Sequence, residues 1–508
     1  MHNRGKGMPT ILQIVPLIVV LLCATIQMVA QDAGGMSDVA LRRLQTRMDE
    51  LRSQMIQIQA ELDAMRGQNK LPNSAKDAKP VPEPLQTGTI ERTMSPLPPS
   101  AQLSPEQQRM AVSKQTADYE TFSEDPEAAA RLYNAPLEAT YPGFFVLPGT
   151  QIMLRINGRL RTDLIFDPRP AGVADAFVPS SIPILQGSST NNVNVAIRDS
   201  RLSTDFRVPV SGWGTARTFM QFDFFGSNGA TTPRLRHFYV QLHNILLGQT
   251  FTNFMDPDAS ADSLDSQGPN SDLSVRPPQA RYSFPFGRGM SGSVSVEQPN
   301  SDIRFSQNGS AAVSITPAPD GALKFRYEGE RGHIQVSSVF RELAVHLPDG
   351  WPQESAFGWG VNASGAVRVY VRDNIVYQVA YGNGISRYVR DVQGLGLDAA
   401  PRAETDLTLK ALPLFAPYFS YQHHWTRSVR STATFGFVQL QNTAFQPSNT
   451  YHKSTYSSGN VIWNAMGGLD FGAEFLYGWV EQKDGAKANA PRIQFSGSYS
   501  FVRLHTAD

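Results

Sequence analysis

Arginines occupy alternate positions in several segments whose remaining positions are apolar. Between residues 152 and 166, for example, Arg155, Arg159 and Arg161 alternate with leucine and isoleucine. An arginine side chain presents a planar fork of N–H donors that matches a carboxylate or phosphate and stays charged when partly dehydrated. A row of such groups on one face would favour the passage of small anions. Read from the parity of each apolar face, the candidate channel-lining residues are Arg155, Arg159, Arg161, Arg201, Arg207, Arg217, Arg326, Arg368 and Arg372.

A second interpretation of these arginines stays open at the level of sequence. Each could pair with an inward Asp or Glu and only stiffen the wall. The group Arg155, Arg159 and Arg161 has only Asp163 beside it in its own segment, so pairing alone explains that group less well.

The segment 251–277 is acidic and predicts a loop that constricts a lumen. It contains one base, Arg276. Placed opposite the arginines, its carboxylates would create a transverse field that orients charged solutes. A solvated surface loop is the alternative, and the glycine and glutamate of a helix-loop-helix calcium site are missing, so we expect no metal and no cofactor. The proposed constriction residues are Asp256, Asp258, Asp262 and Asp265.

Strict alternation of apolar and polar residues identifies the elements that would position these groups. In residues 469–479 and 493–501, aromatic and apolar side chains fall on every second position and polar ones fill the gaps. Helical segments to cover the apolar faces are missing from the sequence, so lipid is their natural partner. At about 22 residues per strand and loop, the stretch from 148 to 501 predicts roughly sixteen strands. We therefore expect an all-β fold, a transmembrane antiparallel barrel over residues 148–508.

The N-terminal part predicts three further segments. Residues 1–30, with Arg4 and Lys6 before a short hydrophobic run, are typical of a signal peptide. Residues 37–67 place Leu, Met and Ile at alternate spacings of three and four, which predicts a coiled-coil oligomerisation helix. Residues 68–147 are rich in Pro and Ser and predict a linker. The single cysteine, Cys23, lies in the first segment.

Composition and motifs argue against several function classes. The formal net charge is zero, which disfavours a nucleic-acid partner. The histidines after residue 30 stand in no recognisable constellation with Ser or Asp, so we expect no catalytic residues and no enzyme.

Several stretches resemble the DcaP-like trimeric outer-membrane porins. These are GTQIMLRINGRLRTDLIFD, AIRDSRLSTDFRVP, RTFMQFDFFG, RLRHFYVQL and LLGQTFTNFMDPDA, together with the order of coiled coil and linker. The resemblance implies a homotrimer in the outer membrane, a periplasmic coiled coil, and diffusion of small anionic solutes, with dicarboxylates as the substrate class. It places Arg155, Arg159, Arg161 and Arg207 on the anion path. The chain departs from the family at Phe251, where Trp is expected, and in the residues VRLHTAD after Phe501.

Two other functions are compatible with the pattern. A general or sugar-type porin would need aromatic residues on the inner face, yet most aromatic residues here share the outward parity. A structural tether would join the outer membrane to cell-wall material through the coiled coil, and this role is compatible with transport.

Overall fold

The computed structural model describes residues 144–501 except 185–190, 227–230, 308–309, 347–352 and 371. The predicted signal peptide, the predicted coiled coil and all but the last four residues of the predicted linker lie outside the described residues and stay predictions.

Sixteen antiparallel strands form a closed barrel, which confirms the predicted fold class and strand number. Closure comes from nine residue pairs between the first and last strands, from Gly158 with Phe501 to Phe166 with Ile493. In chain order the strands are β1 (Met153–Asp167), β2 in two segments (Asn192–Ala196 and Arg201–Val210), β3 (Gly214–Asp223), β4 (Arg234–Leu242), β5 (Ile245–Gln249), β6 (Pro278–Gly287), β7 (Met290–Glu297), β8 (Asp320–Gly329), β9 (Gly332–His346), β10 (Glu354–Arg368), β11 (Asn374–Asn383), β12 (Pro413–His424), β13 (Val429–Leu440), β14 (Tyr451–Met466), β15 (Leu469–Gln482) and β16 (Lys487–Phe501).

The two ends of the barrel differ in the length of their connections. Short turns join β2 to β3, β4 to β5 and every later pair in that series. At the opposite end the connections are longer, except for the four-residue turn between β15 and β16. In the β14–β15 turn Gly468 has φ of 84°, a conformation that favours glycine. No helix in the described part of the chain is long and apolar enough to cross a membrane.

The outer face of the barrel is apolar and the inner face is polar. On β15 and β16, Phe475 and Phe495 are 53% and 51% exposed, whereas Glu474 and Arg492 on the alternate positions are 2% and 0% exposed. The period of two in a strand produces this separation. The predicted parity of these two strands is therefore confirmed.

Three loops from the long-loop end are buried inside the barrel. We call them loop A (168–184), loop B (250–277) and loop C (384–398). Their apolar residues pack with inward residues of the wall, chiefly from β9 to β16. The fully buried loop members of this cluster are Phe177, Phe254, Leu273, Ile385, Val389 and Val392.

Hydrogen bonds join the three loops to one another. The amide of Phe177 in loop A donates to Asp265 of loop B at 2.9 Å, and the amide of Ser180 donates to Asp391 of loop C at 2.8 Å. Loops B and C are joined by the Ser274 amide, which donates to the Tyr388 carbonyl at 2.9 Å. The loops therefore form one packed body inside the barrel.

The chain enters the barrel through a short strand, Phe145–Val146, that pairs antiparallel with Leu154 and Met153 of β1. The predicted linker therefore ends before these residues, because their backbone groups already belong to the sheet. Phe144 places its ring against two inward arginines, 4.8 Å from Arg155 and 4.7 Å from Arg207.

Candidate solute pathway

Three of the predicted arginines surround a single carboxylate on the inner wall. Asp205 on β2 is fully buried, and its Oδ2 lies 3.6 Å from Arg155, 3.3 Å from Arg207 and 3.0 Å from Arg217. Arg155 faces Asp205 directly across the β1–β2 ladder. The three arginines and Asp205 form a cluster with net positive charge, because the single carboxylate neutralises only one of the three guanidinium groups.

A second carboxylate, that of Asp199, pairs with three more of the predicted arginines. Asp199, between the two segments of β2, lies 2.8 Å from Arg159, 3.0 Å from Arg161 and 3.1 Å from Arg201. Arg161 also contacts Asp163 at 2.9 Å. The expectation that Arg155, Arg159 and Arg161 have only Asp163 as an acidic neighbour is therefore wrong. Asp199 and Asp205, from the adjacent β2 region, also pair with them.

Arg326, Arg368 and Arg372 occupy different surroundings. Arg326 on β8 contacts Asp256 at 3.1 Å, Asp258 at 2.6 Å and Glu328 at 2.8 Å. Arg368 is the last residue of β10. Arg372 shares the alternating pattern of Arg368 in the sequence, but β10 ends before it, and in the turn that follows the Val369 amide donates to the Asp373 carbonyl at 3.0 Å. Arg372 therefore lies in a turn at the short-turn end.

Loop B lies inside the barrel, but its acidic residues do not face an open arginine wall as the sequence suggested. Asp256 pairs with Arg326 and, at 2.9 Å, with His333 of β9. Asp262 contacts Arg430 of β13 at 2.5 Å. Burial alone would raise the pKa of Asp256, yet His333 and Arg326 hold it below its ordinary value.

The remaining predicted acidic residues also serve as anchors. Asp258 shares Arg326 with Asp256, and Asp265 accepts from the amides of Phe177 and Gln267. On the barrel side, Glu474 accepts hydrogen bonds from the loop amides of Leu264 at 2.7 Å and Asp265 at 2.9 Å. The carboxylates of loop B and its wall thus fix the position of the loop.

Four other arginines lie near Arg276, the one base of the acidic segment, and each of the four forms an ion pair with Asp199, Asp223 or Asp272. Its guanidinium lies 4.6 Å above the ring of Phe251. Burial, and then the charges of Arg236, Arg390, Arg234 and Arg201, lower the pKa of Arg276 well below its ordinary value. Among the described residues no carboxylate forms an ion pair with Arg276. The neighbouring Arg234 and Arg390 have side chains 45% and 19% exposed, so this group is reached by solvent.

No group of three or more His, Cys, Asp or Glu side chains in the described residues is arranged to hold a metal ion. The polar side chains of the inner wall are mainly guanidinium, carboxylate, hydroxyl and amide groups.

A closed sixteen-stranded barrel with an apolar outer belt, a polar interior and inward loops defines a porin-type outer-membrane channel. The sequence model described as DcaP outer membrane protein matches residues 146–501, and the chain belongs to that family.

Individual relatives agree with this assignment. The chain is 26% identical over 246 residues to porin Omp2b of Brucella melitensis biotype 1, and 25% identical to porin Omp2b of Brucella suis biovar 1. Both alignments cover 44% of this chain and 61% of the relative, so the chain spans about three fifths of those proteins. The crystal structure of the outer membrane channel DcaP of Acinetobacter baumannii has the same fold, with a TM-score of 0.62, 21% identity, and coverage of 70% of this chain and 99% of that one. These relatives are channels rather than enzymes.

Proposed function

We propose that the barrel is a passive diffusion channel that favours small anionic solutes of the dicarboxylate type. The proposal rests mainly on Arg276, since no described carboxylate forms an ion pair with its guanidinium and solvent reaches the neighbouring Arg234 and Arg390, which makes Arg276 a binding position for a mobile anion. A solute carboxylate would supply the compensating charge that the described residues do not supply to Arg276.

The other predicted arginines contribute differently. Arg155, Arg207 and Arg217 share Asp205, and Arg159, Arg161 and Arg201 share Asp199. Three arginines around one carboxylate leave each cluster with net positive charge, which attracts anions at longer range without holding them tightly. Conduction needs such weak binding at several positions, because a tight site would block the channel.

We further propose that the chain forms a homotrimer whose predicted coiled coil, residues 37–67, lies in the periplasm. The heptad pattern of those residues and the resemblance to trimeric porins support this arrangement. The short turns of the barrel would face the periplasm and the long loops the exterior, as in bacterial outer-membrane barrels.

The test is the reversal potential of the purified protein in a planar bilayer under a salt gradient. Wild type should select anions, and an added dicarboxylate should block single channels transiently. Arg276→Gln should lower the anion-to-cation permeability ratio by roughly two- to fivefold, because it removes one of five neighbouring positive charges. Arg276→Lys should keep most of the selectivity, since the charge remains.

Arg331→Gln is the matched control, because Arg331 is exposed in the β8–β9 turn. Its permeability ratio should equal that of wild type. Cation selectivity in wild type, or an unchanged ratio in Arg276→Gln, would overturn the proposal.

A further inference from the structure

The outer face of the barrel contains an apolar groove of about 660 Å³ across β12 to β16. Its floor consists of Ala433, Gly459 and Ala473, which stand on three neighbouring strands, and all three are exposed. Ala433 and Gly459 are direct cross-strand partners. The groove therefore interrupts the belt of large side chains that covers most of the outer face.

Gly459 has no partner inside the barrel that explains it. A Cβ at Gly459 would meet no atom within 4 Å, whereas a Cβ at Gly472 would contact Leu264 at 2.8 Å and one at Gly478 would contact Phe177 at 2.9 Å. The last two glycines make room for inward loops. Glycine weakens a strand interior and often marks the close approach of a ligand or another backbone. At Gly459 the open space lies on the outer face, and no described residue of this chain fills it.

One wall of the groove is an ordered row of rings. Tyr421 and His423 stack with centroids 6.4 Å apart, and His423 meets Trp425 edge to face at 4.5 Å. The indole N–H of Trp425 donates to the Ser431 hydroxyl at 2.9 Å, and the His423 ring bonds Asp373 at 2.8 Å. These bonds hold the wall in place before any ligand arrives.

The side chains become less polar from the turn that contains Arg427 toward the floor of the groove. The turn after Trp425 contains Arg427, which is exposed and forms no ion pair with any described residue. The row of rings runs from Trp425 in the turn to Tyr421, which is the cross-strand partner of Ala433 in the floor, and Ala433 lies about 17 Å from the end of the turn at the usual rise per residue. Tryptophan and tyrosine sit at the level of lipid headgroups in membrane proteins. The groove thus extends from Trp425, two residues before the exposed Arg427, to the small apolar residues of its floor.

We propose that this groove binds one glycerophospholipid of the periplasmic leaflet, with an acyl chain over Gly459 and the phosphate near Arg427. An acyl chain is flexible enough to fill a depression bordered by protruding rings, and the volume is many times the roughly 30 Å³ of one water molecule. The charge of Arg427 complements a phosphate. A second copy of the chain is the competing occupant, but Trp425, 65% exposed at the rim, would obstruct a flat protein surface. The proposal rests on the orientation proposed above, with the short turns facing the periplasm, and is independent of the solute that the channel passes.

The test is native mass spectrometry of the full chain in detergent, titrated with phosphatidylglycerol. Wild type should bind one tightly retained lipid per chain. Gly459→Leu, which fills the floor without a clash, should weaken binding roughly tenfold, the effect of losing about two buried methylenes. Arg427→Gln should weaken phosphatidylglycerol binding and leave diacylglycerol binding unchanged, because only the former carries a phosphate.

Ala280→Leu is the matched control, because Ala280 is an exposed, outward alanine on β6. It should bind lipid as wild type does, and heat-modifiable gel mobility should show that all variants are folded. Absence of a retained lipid in wild type, or equal binding by Gly459→Leu, would overturn the proposal. A changed subunit number in Gly459→Leu with unchanged lipid binding would assign the groove to subunit contact and would also overturn it.

Discussion

Individual residues show what the alternation of apolar and polar side chains can predict and what it cannot. Parity along a strand correctly separated the outward Phe475 from the inward Glu474. It did not reveal that Asp205 serves three arginines, because two of those arginines lie on strands whose register with β2 depends on the whole barrel. Arg276 was visible in the sequence, but its four arginine neighbours come from distant segments that only the fold brings together.

The Asp205 cluster leads to a prediction about stability. Asp205→Asn leaves Arg155, Arg207 and Arg217 buried without their shared countercharge, and removing one partner of a buried ion pair costs about 3–5 kcal/mol. Urea unfolding of the protein in lipid vesicles should show a loss of this order. Glu404→Gln, an exposed loop change, should leave the transition in place. A transition of Asp205→Asn that matches wild type would mean that the arginines do not depend on this carboxylate.

At the scale of elements, the sequence predicted one inward loop and the structure contains three. The acidic character of loop B marked it, although its carboxylates anchor the loop and do not face open arginines. Loops A and C have no regular pattern, because Phe177, Val389 and Val392 are isolated apolar residues that become a core only where the loops meet.

Contacts between loops A and C predict a dependence on pH. Burial raises the pKa of Asp391 to about 6, even though Ser454, Ser180 and Tyr451 donate hydrogen bonds to it. Its unfolded value is about 3.9, so the folded state favours the protonated form. Stability is therefore fully present below about pH 4 and decreases as the pH rises through about 6, by roughly 3 kcal/mol at most.

Hydrogen exchange of loop C amides, corrected for the intrinsic rate, measures this effect. Protection should be greater at pH 4.5 than at pH 7.5 in wild type, and Asp391→Asn should reduce the difference because it cannot ionise. Equal protection of wild type at both pH values would contradict the assignment of this pH dependence to Asp391.

For the whole molecule, the number of strands and the closed barrel could be predicted from chain length and alternation, since apolar and polar residues alternate in the strands from β1 to β16. The exact site where the barrel closes depends on a local fit. Gly158 on β1 lies under the ring of Phe501, and a Cβ there would collide with that ring. Gly158 and Phe501 form the pair at one end of the seam in the described part of the chain.

Gly158→Val should therefore weaken closure, because the added side chain displaces Phe501. Overpacking of this kind costs about 1–3 kcal/mol. The temperature at which the folded band disappears in heat-modifiability gels should fall. Gly321→Val is the control, since a Cβ at Gly321 meets no atom within 4 Å, and it should unfold close to the wild-type temperature. An equal shift in both variants would assign the effect to the loss of a glycine rather than to the Phe501 contact.

The short strand Phe145–Val146 has a mechanical consequence. A pulling force applied at residue 144 acts first on the pair Phe145–Leu154 and then on Val146–Met153, so the two pairs open one after the other. The closing seam between β1 and β16 has nine pairs and lies beyond this hairpin. Tension on the preceding segment therefore opens this hairpin before it reaches the seam.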